Sequence, residues 1–185
     1  MSGDSDLDYS IDSVTDLQQV IDWKLPGQME YIESAVFYND FQMGRDRMQM
    51  FLESVIRSSD ADERVHRCAV ATKVVGDFDR KLLGFATCST FSAINGKPFM
   101  SLIISRVAVL AQYQRKGIGT SLLNRCVHFA EEISSCSFNE PYTAIIGVKT
   151  EVQKTLFSQM GWSKVINLET NILKSKVTWV TQSDY

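Results

Sequence analysis

The chain has 185 residues, of which 44% are hydrophobic and 22% are charged, and its formal net charge is −3. This length suits one domain with a buried core, and the composition is ordinary for a globular protein. No apolar run approaches the roughly 20 residues that a bilayer span needs, and no basic-then-apolar signal segment opens the sequence. We therefore expect an intracellular protein, cytoplasmic or nuclear, that does not associate with membranes.

The charge is distributed unevenly along the chain. Residues 1–65 carry 5 Lys/Arg against 14 Asp/Glu, whereas residues 66–185 carry 14 against 8. A basic body suits a polyanionic ligand and an acidic N-terminal part suits a cationic one, although both can also be solvated surface. Residues 1–8 are predicted to be a disordered acidic tail. We expect no nucleic-acid partner, because the chain is acidic overall and has no aromatic-basic stripe.

The cysteines give no sign of a disulfide framework or a metal site. None of the four forms a C-x-x-C pair, so we predict free, buried thiols at Cys68, Cys88, Cys126 and Cys136. His66 and Cys68 would share one face of a strand. Two ligands do not make a metal site, however, and no metal is expected.

The N-terminal third has the periodicity of helices. Tyr9–Val14 is predicted as a short strand, and the capping residues Thr15-Asp16 introduce a first helix. Pro26-Gly27 is expected to interrupt that helix. Further helical runs are predicted over Gln28–Tyr38 and Arg45–Arg57.

The middle of the chain has the residue pattern of β-strands. Strands are predicted over Arg64–Val75, Lys81–Ser92 and Phe99–Leu110. Turn signals at Gly76–Asp79 and Asn95-Gly96 separate them. Because the connections are short, the three strands should form an antiparallel meander.

The C-terminal part alternates between the two kinds of element. A helix over Gly117–Ser134 should lead to a strand over Tyr142–Val148, and helix-joined strands of this kind are usually parallel. A short helix follows over Glu151–Met160. Trp162–Leu168 and Lys176–Gln182 are predicted as closing strands.

A glycine-containing segment, Gln114–Gly119, joins the third strand of the meander to the next helix. A dinucleotide-binding fingerprint would need a third glycine where Leu122 stands, and a Walker A loop would need a Gly-Lys-Ser/Thr run. The remaining pattern is Q/R-x-x-G-x-G/A. Amides at the start of a helix lack intrahelical acceptors and bind anions. The segment therefore predicts an anion-binding turn, although the same pattern also occurs in purely structural turns.

The surroundings of this loop make the chain resemble the GNAT superfamily of N-acetyltransferases. Lys81-Leu-Leu-Gly-Phe-Ala86 is similar to the family's "I-V-G-F-A" strand. Leu156-Phe-Ser-Gln-Met-Gly-Trp162 is similar to its "L-Y-x-x-x-G-F" helix end. The order of elements agrees from about residue 9 to residue 182. The resemblance implies a single α/β domain over residues 9–185, with a mixed, mostly antiparallel central sheet that is splayed between its fourth and fifth strands and flanked by helices.

The resemblance also implies acetyl-CoA as a co-substrate. The pyrophosphate of CoA would lie on the amides of Arg115–Thr120, and the pantetheine arm would pair with the backbone of Val107 and Val109. The Val107 amide would polarise the thioester carbonyl. The implied cofactor-binding residues are Val107, Ala108, Val109, Gln114, Arg115, Lys116, Gly117, Ile118, Gly119 and Thr120.

Two positions depart from the family pattern. Phe157 stands where the family often has a tyrosine that protonates the thiolate, and Ile103 stands where it often has a strand carboxylate. General acid or base help is worth about 10²–10⁴ in rate, or roughly 3–5 kcal/mol. Positioning of the two substrates can supply about 7–11 kcal/mol. Acetyl transfer to a primary amine by direct attack is therefore the favoured function. A weak or inactive acetyl-CoA sensor and a ligand-free interaction scaffold are the alternatives.

No side chain is assigned to catalysis. The residues considered as replacements for the missing groups, none of them convincing, are Tyr113, His128, Glu140, Tyr142 and Ser158.

The acceptor is not fixed by the sequence. A carboxylate of the acidic N-terminal region (Glu30, Glu33 or Asp40) could accept the proton of a cationic amine. That amine could be a small polyamine or arylalkylamine, or a protein lysine or N-terminus. The sequence leaves the oligomeric state open.

Overall fold

The structure is a computed structural model, and it describes residues 8–38, 42–59, 64–76, 79–94, 97–137, 142–148, 163–164 and 178–181. Its elements are β1 (Ser10–Ser13), α1 (Leu17–Asp22), α2 (Leu25–Val36), α3 (Arg45–Arg57), β2 (Arg64–Val75), β3 (Asp79–Ile94), β4 (Lys97–Val109), one 3-10 turn (Ala111–Tyr113), α4 (Ile118–Ser137), β5 (Tyr142–Val148), β6 (Ser163–Lys164) and β7 (Thr178–Thr181). The chain is therefore of the predicted α/β class.

The contacts between residues divide the chain into two compact units. Unit 1 comprises Met1–Arg57, Cys68–Ala86 and Val107–Arg125, and unit 2 comprises Ser58–Arg67, Thr87–Arg106 and Cys126–Tyr185. Strands β2, β3 and β4 and helix α4 contribute residues to both units. A single domain over residues 9–185 stays a prediction.

Unit 1 has the sheet order β1-β2-β3-β4. Strand β1 runs antiparallel to β2, with Ser10 opposite Thr72 and Ser13 opposite Ala69. Helices α1, α2 and α3 bury apolar side chains against this sheet at the spacing of an amphipathic helix. The resulting core contains Val14, Val20, Leu25, Met29, Ile32, Met48, Leu52, Val55, Cys68, Val70, Leu82, Phe85, Ala108 and Leu110.

The start of α2 corrects one sequence prediction. The sequence predicts a break at Pro26-Gly27 and a new helix from Gln28, but α2 begins at Leu25 and holds Pro26 in its first turn. Proline is tolerated there because its missing N–H would have no intrahelical acceptor. The break between α1 and α2 falls instead at Lys24, whose φ is +50°. The predicted cap is confirmed, since the Asp16 side chain accepts a hydrogen bond from the Gln19 amide at 2.7 Å.

One side chain joins α2 to the sheet in unit 1. The Gln28 amide nitrogen donates to the carbonyls of Trp23 (2.6 Å) and Arg80 (2.9 Å), and its oxygen accepts from the Leu82 amide at 2.8 Å. Gln28 therefore satisfies backbone groups on two elements at once, which fixes the helix on the strand.

Unit 2 has the sheet order β2-β3-β4-β5-β7-β6. Strands β4 and β5 are parallel, as predicted, and their described register runs from Met100 opposite Tyr142 to Ile104 opposite Ile146. Strand β7 is parallel to both β5 and β6. The predicted helix over Glu151–Met160 lies outside the described residues, as do residues 1–7 of the predicted tail and the Asn95-Gly96 turn.

Helix α4 has an apolar stripe. Its buried side chains, among those described, are Ile118, Leu122, Leu123, Cys126, Phe129 and Ile133. None of the helices in the described part of the chain combines the length and the apolar character that a membrane span requires.

Candidate cofactor-binding site

The glycine loop of unit 1 is fixed to the end of β4 by short hydrogen bonds. The Tyr113 amide donates to the Leu110 carbonyl at 2.8 Å, and the Gln114 amide donates to the Ala111 carbonyl at 3.2 Å. The side-chain amide of Gln114 donates to the Val109 carbonyl at 2.8 Å. Gln114 therefore holds the loop against the strand that precedes it, a role that the sequence pattern did not indicate.

Two residues of the loop adopt left-handed backbone conformations. Arg115 has φ +60° and Gly117 has φ +81°. Glycine takes this conformation without the steric cost of a Cβ, whereas an L-residue such as Arg115 loses roughly 1–2 kcal/mol. The Gly117 carbonyl accepts the Ser121 amide at 2.9 Å, so Gly117 stands at the start of α4.

The amides of this turn and of the start of α4 have no acceptor in the part of the chain that the structure describes. Within the described residues, no amide from Arg115 to Thr120 donates a hydrogen bond to another group. Arg115, Lys116 and Gly117 are exposed, Gly119 and Thr120 are half-buried, and Ile118 is buried. Such amides at the positive end of a helix 20 residues long form a favourable place for an anion.

Strand β1 supports the N-terminal part of α4. The Tyr9 hydroxyl, just before β1, lies 3.4 Å from the Ser121 hydroxyl. The Arg125 guanidinium donates to the Ser13 hydroxyl at 2.8 and 3.0 Å. Each pair is separated by 112 positions in the sequence, so local patterns could not have revealed it.

The end of β4 directs its backbone groups alternately to the two sides of the strand. The Leu110 amide donates to the Leu83 carbonyl of β3 at 3.0 Å. Because backbone groups alternate along a strand, Ala108 also faces β3, and Val107 and Val109 direct theirs away from it. Ala108 is buried, Val109 nearly so, and Val107 is half-buried.

Gly84 allows β3 to lie close to this part of β4. A Cβ on Gly84 would lie 2.6 Å from the Ala108 carbonyl oxygen and 3.0 Å from Cγ2 of Val109. The first distance is far below a van der Waals contact, and the backbone oxygen is held in the sheet. The glycine of the Lys81–Ala86 motif is therefore required by packing.

Three side chains that bear on catalysis are described. Ile103, which replaces the family's strand carboxylate, is half-buried on β4 opposite Ile145. Tyr113 packs against the core of unit 1. His128 is exposed, with Nε2 3.2 Å from the carboxylate of Glu132 on the same helix.

Several other candidates fall where the structure gives no description. Glu140, Phe157 and Ser158 lie outside the described residues, and of Tyr142 only the backbone is described. Their predicted roles are therefore unchanged by the structure.

Two of the three proposed proton acceptors are described, both on α2. Glu33 is buried, and its Oε2 accepts the Met43 amide at 2.6 Å, so this carboxylate holds the segment that follows the helix. Glu30 is half-buried and lines a shallow cleft of about 310 Å³ whose other lining residues are Met43, Gly44, Arg45, Asp46 and Arg47. The cleft thus carries two carboxylates and two guanidinium groups. Asp40 lies outside the described residues.

In unit 2, His66 is held by a neighbouring hydroxyl. Its Nδ1 lies 2.8 Å from the hydroxyl of buried Ser89. Burial lowers the pKa of His66, and the charge of Arg64 lowers it further. The imidazole is therefore neutral near pH 7.

The thiols match the sequence analysis. Cys68, Cys88 and Cys126 are free and buried, and the side chain of Cys136 is not among those described. The described residues contain no group of three potential metal ligands.

Solved structures share this fold at low sequence identity. An acetyltransferase of Trypanosoma brucei superposes with a TM-score of 0.61 and 10% identity, over 86% of this chain and 96% of its own. The aminoglycoside N-acetyltransferase AAC(6')-Iy, solved in complex with CoA, gives 0.60 and 12%, over 87% and 91%. The protein of the KacTA–DNA complex gives 0.52 and 18%, over 89% and 90%. At these identities the likeness concerns the fold alone.

Sequence comparison identifies the family. No curated protein sequence matches the chain. The family model described as "Acetyltransferase (GNAT) domain" matches residues 65–164, which cover β2 to β6 and include the whole glycine loop. This match spans more than half of the chain and agrees with the fold of the solved structures. The chain therefore belongs to the GNAT acetyltransferase family.

Proposed function

We propose that the protein is an acetyl-CoA-dependent N-acetyltransferase that moves the acetyl group to a primary amine by direct attack in a ternary complex. The observation that carries this proposal is the row of amides from Arg115 to Thr120, which have no internal acceptor among the described residues and stand at the start of α4. Membership of the GNAT family supports CoA as the ligand of these amides.

The loop would hold the diphosphate of CoA through its backbone. Gly117 has no Cβ, and the nearest atom to an added Cβ would be the Tyr9 hydroxyl oxygen at 3.9 Å, so a phosphate can approach the backbone closely. The exposed side chains of Arg115 and Lys116 add positive charge beside the amides. The dipole of α4, the loop amides and these two cationic side chains would all attract the same diphosphate.

The end of β4 would bind the pantetheine arm in the manner of an added strand. Val107 and Val109 direct their backbone groups away from β3, which leaves those groups for a partner on the other side. The Val109 carbonyl already accepts the Gln114 side chain at 2.8 Å. The arm would therefore use both backbone groups of Val107 and the amide of Val109, and the Val107 amide would polarise the thioester carbonyl.

The reaction needs little from side chains. The amine reacts in its neutral form, so a cationic acceptor first gives a proton to water or to a carboxylate. Its nitrogen then attacks the carbonyl carbon, the carbon–sulfur bond breaks and CoA leaves as a thiolate. The second proton of the nitrogen passes through solvent to that thiolate. The thiolate of a thiol whose pKa is about 8.5 is a good leaving group without protonation. Positioning supplies about 7–11 kcal/mol, which exceeds the roughly 3–5 kcal/mol that general acid and base groups supply.

For the amine that accepts the acetyl group, we propose only a chemical class. One structural neighbour is an aminoglycoside N-acetyltransferase, which acts on a small molecule that carries amines. A small amine is consistent with the acidic N-terminal region, and a protein lysine or N-terminus remains the alternative. That the chain has no nucleic-acid partner also stays a prediction, since another neighbour was solved as a DNA complex.

A second function, an acetyl-CoA sensor without turnover, is favoured by Phe157 and Ile103, which replace the usual assisting groups. The release of free thiol from acetyl-CoA, measured over a panel of amines and peptides, separates these functions. Release that depends on an amine supports the transferase. Binding of acetyl-CoA without release over the whole panel supports the sensor, and the absence of binding refutes both.

A further inference from the structure

A basic surface continues from the glycine loop onto the neighbouring strands of unit 1. Lys73 near the end of β2 and Lys81 near the start of β3 are both exposed. The Lys81 ammonium lies 5.9 Å from the centroid of the Tyr113 ring, two residues before Arg115. The loop therefore has lysines beside it that do not belong to its own sequence motif.

Both lysines act on the same phenol. The pKa of Tyr113 is lowered, first by a hydrogen bond with Gln112, then by the charge of Lys81 and a hydrogen bond with it, and by the charge of Lys73, although desolvation by burial opposes them. The short distance between the Lys81 ammonium and the Tyr113 ring agrees with this direction. The Tyr113 backbone is itself fixed by its hydrogen bond to Leu110.

No carboxylate in the described part of unit 1 forms an ion pair with this surface. Among those residues, Lys73, Lys81, Arg115 and Lys116 form no ion pair, and neither does Asp79, two residues before Lys81 on β3. Arg115 and Lys116 lie in the loop, Lys81 lies beside it and Lys73 is exposed on β2. Several cations without carboxylate partners favour a ligand with several negative charges.

We propose that Lys73 and Lys81 form a second phosphate subsite, which binds the 3′-phosphate of CoA while the loop amides bind the diphosphate. This inference rests on the proposed binding of CoA. The 3′-phosphate is carried by the same ribose as the diphosphate, so its binding groups must lie next to the diphosphate site. Lys81, whose ammonium lies 5.9 Å from the centroid of the Tyr113 ring, meets that requirement. Lys73, exposed near the end of β2, would supply the second charge.

The proposal predicts selectivity for one ligand over another. Coenzyme A and dephospho-coenzyme A differ only in the 3′-phosphate. Each exposed ion pair is worth a factor of about five or less in affinity, so the native protein should bind CoA about five- to twentyfold more tightly than dephospho-CoA at low salt. The ratio should fall as salt is added, because screening weakens exposed pairs.

The test is calorimetric titration of the full chain and of the double variant Lys73→Gln/Lys81→Gln with both ligands. In the double variant, the affinity for CoA should fall and the affinity for dephospho-CoA should stay the same. The ratio of the two affinities should therefore approach one. Arg57→Gln, which removes one charge from an exposed side chain at the end of α3, is the control for a lost surface charge and should keep the native ratio. Circular dichroism checks that each variant is folded.

Three other outcomes would overturn the proposed subsite. A native ratio near one, an unchanged ratio in the double variant, or an equal loss for both ligands would show that the lysines do not bind the 3′-phosphate. In those cases the measured CoA affinity still supports the proposed function. Failure of the native protein to bind either ligand would remove the proposed function and the subsite together.

Discussion

Gly117 is the residue on which the proposed cofactor site depends most. Its φ of +81° suits glycine, and an added Cβ would meet nothing closer than the Tyr9 hydroxyl oxygen at 3.9 Å. A side chain here would therefore leave the fold intact at a cost of roughly 1–2 kcal/mol. It would also place bulk where the phosphate is expected.

We predict that Gly117→Glu abolishes binding of acetyl-CoA in calorimetric titrations, because it adds negative charge beside the diphosphate. Gly27→Glu introduces the same side chain into the first turn of α2, where an added Cβ meets nothing within 4 Å, and should bind normally. Normal binding by Gly117→Glu would show that the diphosphate lies elsewhere.

His66 makes stability depend on pH. Burial lowers its pKa in the folded chain below the ordinary value of 6.5, with Arg64 adding to the effect. Below about pH 6.5, His66 therefore binds a proton more readily in the unfolded chain than in the folded chain. The free energy of unfolding should fall as the pH decreases from 6.5 towards the pKa of folded His66.

Urea unfolding of the native chain and of His66→Gln between about pH 7.5 and pH 5.5 measures this effect. The variant should show a weaker loss of stability on acidification. His128→Gln, which changes an exposed histidine on α4, is the control and should retain the native slope. Equal slopes for the native chain and His66→Gln would contradict the prediction.

At the scale of elements, the close approach of β3 to β4 determines where the end of β4 lies. The contact depends on Gly84, whose added Cβ would lie 2.6 Å from a backbone oxygen of β4. Neither strand can shift without breaking the bond between the Leu110 amide and the Leu83 carbonyl. The spacing of these two strands thus fixes the segment that is proposed to bind the pantetheine arm.

We predict that Gly84→Ala lowers the free energy of unfolding by about 1–3 kcal/mol, the usual cost of forcing an extra carbon into a packed core. Gly27→Ala adds the same carbon in open space within α2 and should be neutral or slightly stabilising. Chemical denaturation measures both. A Gly84→Ala variant as stable as the native chain would mean that the two strands separate easily.

At the scale of the whole molecule, the sequence predicted those features that depend on local periodicity. Helix α3, strand β2 and strand β5 have the predicted bounds, and α4 begins one residue later and ends three residues later than predicted. The prediction that Pro26 interrupts a helix is wrong, because proline breaks helices in their interior but is tolerated in their first turn. The family motifs also located the glycine loop, since its residues are contiguous.

The remaining features depend on contacts between distant residues. The pairs Tyr9–Ser121 and Ser13–Arg125 join segments 112 positions apart, and no local pattern records them. The Gln114 side chain could have contacted either the cofactor or the strand, and only the structure shows its bond to Val109. The basic surface around Tyr113 likewise arises from three separate stretches of sequence.

The proposed function depends on the binding of the acetyl-CoA diphosphate by the amides of residues 115–120. Backbone amide NMR of the full chain, recorded while acetyl-CoA is added, measures this binding at each residue. We expect the amide signals of Gly117, Gly119 and Thr120 to be among those that shift most and those of α3 to change little. Saturable binding that leaves these three signals unmoved, or no binding at all, would contradict this expectation.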